Sequence, residues 1–243
     1  MNIITSDDCI GILSDHELSK SYTVYGYPDG AFSLIPHHFF RTWTDDEPPL
    51  GTFHLGRCSG LGVGSIAKYD GYARLIVGKH VSGGSRLRFI LTCWHEMRSI
   101  TTSMLGAMGN GLLMHPMSQP YGDTVLKHDI WIGDEAMFLG GSVIESGCVI
   151  GARTLVPANS KTEPYGVYAG SPARLIRFRF PEKVREKLLE LAWWDMPFSW
   201  IKENNAAFLV DLAADEGRAL ELLAELKLKK DKSTAVSSDT PHL

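Results

Sequence analysis

The sequence predicts an all-β solenoid wound into three-sided coils and followed by a short α-helical element. Three observations carry that prediction: a strict six-residue repeat, a looser earlier copy of it, and a switch to helical periodicity near residue 181. From Leu126 a large apolar residue returns at every sixth position: Leu126, Ile132, Phe138, Ile144, Ile150 and Val156. Four residues after each of the first five comes a second series of small or aliphatic residues, Ile130, Ala136, Ser142, Cys148 and Thr154. Neither a 3.6-residue helical period nor simple strand alternation produces such a pattern. A coil with flat sides of about six residues does, each side sending one large residue inward to stack on its equivalents. Gly133 and Gly151 directly follow two of the large residues, where a turn needs positive φ or close backbone approach.

The earlier copy begins at Leu55-Gly56 and Leu61-Gly62, with Ser59 and Ser65 at the small positions. Val77-Gly78, Gly83 and Phe89 continue it, with Val81, Leu87 and Cys93 four residues on. The register slips between Ser65 and Gly71, which calls for a bulge or small loop. Between His95 and Gly122 the hexad vanishes into a stretch carrying Gly106, Gly109, Gly111, Pro116 and Pro120. That marks a long excursion, the kind of segment that compact proteins keep for function or leave disordered. After the coils, Pro181 opens a helix to Leu191 with Val184, Leu188 and Leu191 on one face. A second helix is expected over about 199–212 and a third over about 215–228. The tail from Lys229 is polar and is expected to be disordered. The resulting division is 1–54 for an N-terminal extension and acceptor-side segment and 55–180 for the coils with their excursion at 96–121. The C-terminal helices take 181–228 and the tail 229–243.

Bulk properties exclude several function classes. The 243 residues carry a net charge of −4, so no general basic field invites nucleic acid. No run of about 18 apolar residues provides a membrane span. Residues 1–15 have neither the basic nor the apolar region of a signal peptide. The four cysteines lie far apart, with no Cys-x-x-Cys pair, which fits reduced thiols and a cytoplasmic location.

Three segments carry a family resemblance. GDTVLKHDIWIGDEAMFLGGSVIESGCVIGARTLV (Gly122 to Val156) resembles the coils of hexapeptide-repeat acyltransferases. YGVYAGSPARLIRFRF (Tyr165 to Phe180) resembles the ending of their xenobiotic branch, the streptogramin and chloramphenicol acetyltransferases, and LLELAWWDMP (Leu188 to Pro197) resembles the Trp-Trp-Asp helix that follows it. With the region of His95, the likeness covers roughly residues 55 to 200. It implies a left-handed parallel β-helix and a homotrimer with active sites between subunits. It also implies acetyl-CoA as co-substrate, no metal, and a small-molecule or glycan acceptor.

The same resemblance assigns roles. His95, in FILTCWHEMRSITTSML immediately before the hexad stops, matches the histidine that deprotonates the acceptor hydroxyl. The chemistry suits it: an alcohol needs a base during attack on a thioester, and histidine titrates near working pH. The tetrahedral oxyanion needs N–H donors, and Gly140-Gly141-Ser142 at a corner can present them. Matching positions for coenzyme A are Gly141, Ser142, Ala158, Ser160 and Lys161. Arg174 and Arg177, with Arg179, are candidates for its phosphates, or equally a solvated face. Trp131 matches an aromatic beside the acceptor pocket, or packs at the trimer face. The chain departs from the branch in having Trp94 before the histidine, where an asparagine is usual, and Thr101-Thr102-Ser103-Met104-Leu105 after it. Trp94 would reshape the acceptor pocket, and Tyr25, Tyr27 and Asp29 of the N-terminal segment could add a wall to it. The acceptor is then a hydroxyl of a sugar, a glycoconjugate or an antibiotic. Transfer to an amino-sugar nitrogen and a non-catalytic scaffold remain alternatives. A γ-class carbonic anhydrase would need a third histidine near His80 and His115, and that stretch offers only Met117-Ser118-Gln119-Pro120.

Overall fold

The computed structural model describes residues 2–41, 51–68, 74–91, 98, 100–102 and 121–238. Among them the hexad becomes three five-stranded sheets. The first holds β1 (Asn2–Thr5), β6 (Thr52–Leu55), β8 (Arg74–Val77), β11 (Thr124–Leu126) and β14 (Val143–Ile144). The second holds β9 (Ser82–Gly83), β12 (Trp131–Ile132), β15 (Val149–Ile150), β17 (Gly166–Ala169) and β18 (Arg174–Phe178). The third holds β5 (Phe40–Arg41), β7 (Ile66–Lys68), β10 (Arg88–Ile90), β13 (Met137–Leu139) and β16 (Leu155–Val156). All pairings within these sheets are parallel except β17 with β18. From β8 to β16 the chain visits first, second and third sheet in rotation, the connectivity of a three-sided parallel coil.

The registers show why a period of six suffices. Leu55, Val77, Leu126 and Ile144 pair in one row of the first sheet, and Ala67, Phe89, Phe138 and Val156 in one row of the third. Every large hexad residue from Leu126 to Val156 is buried, and so is every member of the small series from Ile130 to Thr154. Phe89 stacks on Phe138 with ring centroids 5.0 Å apart, so aromatic burial reinforces the ladder.

The turns obey a rule that glycine placement alone does not reveal. From Asp129 to Tyr165 every sixth residue has positive φ: Asp129, Glu135, Gly141, Gly147, Arg153, Asn159 and Tyr165. Only two of these are glycine, so the coil imposes the left-handed conformation on ordinary residues. The glycines after the large residues serve the other purpose. A Cβ on Gly133 would stand 2.5 Å from the Ala152 nitrogen, so that position is reserved for close contact between coils.

Strand β1 pairs with β6 and strand β5 with β7, so both belong to the coil sheets although they precede residue 55. A separate antiparallel sheet, β2 (Gly11–Ile12), β3 (Tyr22–Gly26) and β4 (Phe32–Pro36), meets the second sheet's line through Leu34, Gly60 and Ser82. The expected register slip near Gly71 falls at 69–73, and most of the excursion falls at 103–120; both lie outside the described residues.

The C-terminal element is helical, with α1 (Glu182–Leu191), α2 (Phe198–Glu203), α3 (Asn205–Phe208) and α4 (Glu216–Ser238). Val184, Leu188 and Leu191 form the buried face of α1, as the 3.6-residue spacing predicts. The second expected helix is divided, because Asn204 leaves helical geometry between α2 and α3. The third runs on to Ser238 rather than stopping at Leu228, a correction to the polar tail expected from Lys229. Lys230 donates to the Leu191 and Ala192 carbonyls, which ties this extension back to the end of α1. Among the described residues no helix is long and apolar enough to cross a membrane.

Candidate functional site

Two surfaces gather the residues that the sequence singles out. One is the corner where the chain passes from the third sheet to the first. Leu91, the last described residue before the excursion, and Tyr121, its last residue, both approach Gly140. A Cβ there would meet the Leu91 oxygen at 2.6 Å and the Tyr121 ring at 2.5 Å. One coil further, the Asn159 backbone donates to the Gly140 carbonyl at 3.1 Å. The Asn159 side chain lies over Gly141, where a Cβ would be 2.2 Å from its oxygen. Gly140, Gly141, Ala158, Asn159 and Ser160 therefore form one stack at the root of the excursion. Ser160 closes its own turn through a 2.6 Å bond from Oγ to the Pro157 carbonyl.

The second surface is the outer face of the second sheet. Ser82, Trp131, Val149, Val167 and Arg177 pair in one row, so their side chains share a face. Trp131 is 61% exposed there, an unusual state for an indole flanked by paired strands. With strands about 4.8 Å apart, Arg177 lies about 14 Å along this row from Trp131. Arg174 leads back towards the third sheet, because its neighbour Ala173 donates to the Leu155 carbonyl at 2.8 Å. The guanidinium groups of Arg174 and Arg177 bond only nearby carbonyls, those of Ala173 and Phe178, and neither joins an ion pair among the described residues. Two forked cations are thus presented to solvent at the end of the coil.

No family model matches the chain. Relatives do. A chloramphenicol acetyltransferase of Morganella morganii is 43% identical over 164 residues, which cover 62% of this chain and 76% of that enzyme. A Lysinibacillus sphaericus protein named "probable macrolide acetyltransferase" is 33% identical over 169 residues, covering 68% of this chain and 88% of that protein. The chain belongs to the hexapeptide-repeat acyltransferases. A stronger local match, 49% over 85 residues to a chloramphenicol acetyltransferase of Escherichia coli, spans 40% of that enzyme's length.

Within this acyltransferase several of the residues singled out already have structural partners. Ser142 is fully buried at an inward hexad position, so it lies in the coil interior and not against a ligand. The Gly141 amide is already used, donating to Thr124 Oγ1 at 3.1 Å, which removes it as a free oxyanion donor. Lys161 is exposed but pairs at 3.3 Å with Glu145, a buried carboxylate that Lys127 also holds at 2.7 Å. Tyr25 and Tyr27 are buried in the core, the hydroxyl of Tyr27 engaged with Ser33 at 3.2 Å. Asp29 is bound to Arg57, which also holds Asp8. His95 and Trp94 lie outside the described residues, as do Cys93 and His115.

The corner between first and second sheets has a different task. Trp193 packs on His80 with centroids 4.6 Å apart, Trp194 stacks on His128 at 5.3 Å, and Asp195 pairs with Lys79 at 2.9 Å. The Trp-Trp-Asp motif is thus a clamp holding the helices to the coil. Burial, with Arg57, Lys79 and His128 nearby, holds the His80 imidazole down to about 4. Burial lowers His128 as well. Arg179, which the sequence groups with Arg174 and Arg177, faces this side, bonding Asp129 at 3.2 Å and the Gly147 carbonyl at 2.8 Å. Sequence reasoning missed Thr124, Glu145 and Asn159. The signal for Asn159 was its place in the six-residue series of turn positions, since asparagine tolerates positive φ.

Proposed function

We propose that this protein is an acetyl-CoA-dependent O-acetyltransferase, a left-handed parallel β-helix working as a cytoplasmic homotrimer with His95 as general base. The observation that carries the reading is the stack of Gly140, Gly141 and Asn159 at the root of the excursion. His95 follows the last described residue of that root, Leu91, by four positions. An acceptor hydroxyl brought to this corner would give its proton to the imidazole as its oxygen attacks the thioester carbonyl. The thiolate of coenzyme A would leave and take up the proton. No covalent enzyme intermediate is needed, which agrees with the thiol of Cys148 being buried and pushed up by that burial.

The residues present fit coenzyme A. Ala158, Ser160 and Lys161 lie beside this corner, and the exposed Arg174 and Arg177, outside any ion pair among the described residues, offer guanidinium groups for phosphates. The outward row around Trp131 supports assembly, because an indole and two valines on one face gain from being covered by a neighbouring subunit. Trp131 and Trp94 would then bound the acceptor. Cys9, Cys58 and Cys148 are free thiols, in keeping with a reducing compartment. The names of the relatives point to an antibiotic-like acceptor, and they differ between chloramphenicol and a macrolide; a sugar or glycoconjugate hydroxyl offers the same chemistry.

The test is thiol release from acetyl-CoA by wild type and His95→Ala. The panel contains chloramphenicol, a macrolide, a streptogramin, simple sugars, glycolipid precursors and an amino-sugar nucleotide. At least one hydroxyl acceptor should give turnover that falls about 10²–10⁴-fold in the variant. Turnover with the amine alone would overturn oxygen transfer. Coenzyme A binding without turnover on any acceptor would identify a scaffold.

A further inference from the structure

Between the coil and the C-terminal helices lies a cavity of about 240 Å³ whose lining includes none of the residues proposed for acetyl transfer. Its coil side is polar: Asp129, Arg179 and Tyr165 contribute to it. Its helix side is hydrocarbon, with Leu188 and Leu191 from α1 and Leu222 and Leu226 from α4. Phe208 and Val210, both partly exposed, stand where it approaches solvent.

The polar end is incompletely satisfied. Tyr165 is 1% exposed, and its hydroxyl has no hydrogen-bond partner among the described residues. Positive φ at Tyr165 and the closeness of its ring to Gly147 fix the phenol in place, so it cannot swing out to water. Beside it the Arg179 guanidinium lies 5.5 Å from the ring centroid and spends one nitrogen on both Asp129 and the Gly147 carbonyl. A buried hydroxyl without a partner is costly, and native proteins satisfy such groups with another protein group, an ordered water or a bound molecule.

We propose that this cavity binds a small neutral amphiphile whose polar end accepts a hydrogen bond from the Tyr165 hydroxyl while its hydrocarbon body lies among the leucines. Size and charge set the class. A dry apolar cavity of about 150 Å³ takes benzene, so 240 Å³ accommodates about ten non-hydrogen atoms. Asp129 and Arg179 already neutralise each other, so an anionic or cationic head would bring an uncompensated charge into a cavity lined mostly by hydrocarbon. Burial also holds the phenol well above its ordinary titration range, which keeps its proton available for donation.

The experiment titrates 1-octanol, octanoate and octylammonium into the full-length protein by calorimetry. Intermolecular nuclear Overhauser effects from the octyl chain to leucine methyls locate any bound ligand. Octanol should bind one per chain, and the two charged analogues at least about tenfold more weakly, the discrimination expected when a charge is buried unpaired. Tyr165→Phe should weaken octanol about five- to tenfold, the loss of one hydrogen bond. Ala207→Phe, which fills the cavity from α3 without touching the polar end, should abolish binding. Saturating acetyl-CoA should leave octanol affinity unchanged. No octanol binding, equal binding in Tyr165→Phe, or tighter octanoate binding would each overturn the proposal. Displacement by acetyl-CoA would also overturn it, by assigning the cavity to the transfer site.

Discussion

Acid should loosen the clamp between coil and helices, and His80 sets the scale. In the folded protein its imidazole is held to about 4, whereas an unfolded chain protonates it near 6.5. The folded state therefore binds fewer protons than the unfolded one between those values, so stability is full above about pH 6.5 and falls as pH drops towards 4. The two-state linkage expression gives a loss of about 2 kcal/mol by pH 5 and about 3.4 kcal/mol below pH 4, at 1.36 kcal/mol per pKa unit. Depression of His128 adds to this in the same direction. His80→Asn keeps a residue that tolerates the positive φ of this position and removes the titration. Urea unfolding at one fixed protein concentration, at about pH 7.5 and about pH 5, compares the two proteins. Wild type should lose about 2 kcal/mol more than His80→Asn across that interval. Parallel losses, or an imidazole proton resonance for His80 titrating near 6.5, would refute the argument.

Other positions give sharper structural readouts. Gly147→Ala should cost about 2–4 kcal/mol in denaturant unfolding, because its φ is +75° and a Cβ would stand 2.3 Å from the Tyr165 ring. Arg179→Met leaves Asp129, already pushed up by burial, without its cation and should cost about 2 kcal/mol, less than a fully buried pair because both partners keep some exposure. Trp131→Glu should leave the chain folded, because the indole is exposed on the single chain. It should shift sedimentation from the proposed trimer towards monomer; an unchanged sedimentation coefficient would remove Trp131 from the proposed subunit interface.

The parallel coil was legible because its requirement is local and repeated. One inward side chain per flat side must be apolar, and residues from Leu126 to Val156 state this six times in succession. The face of α1 was legible for the same reason, through Val184, Leu188 and Leu191. Turn positions were harder to read, since the coil forces positive φ on Asp129, Glu135 and Arg153, whose side chains carry no mark of it. Side-chain roles were hardest. Arg179 lies two residues from Arg177, yet one serves the inner polar pair and the other faces out. Ser142 and Gly141 looked alike as corner residues, but one points inward and the other spends its amide on Thr124, a partner seventeen residues away. Such pairings depend on which coils stack, and periodicity fixes the coil without naming its lateral neighbours.

A ladder of parallel strands has an inherent hazard: each end is a template on which another molecule could continue the winding. In the second sheet both ends are closed by a reversal of chain direction. At one end β18 folds back antiparallel on β17. At the other, the line through Gly60 reaches Leu34 of β4, and the hairpin then reverses through β3 to β2, a strand of only two residues. A second molecule arriving end-on would meet an antiparallel strand at β18 and, at the other end, an edge of two residues that is too short to pair with. Growth along the winding axis is therefore arrested in this sheet, and copies of the protein are left to meet side by side.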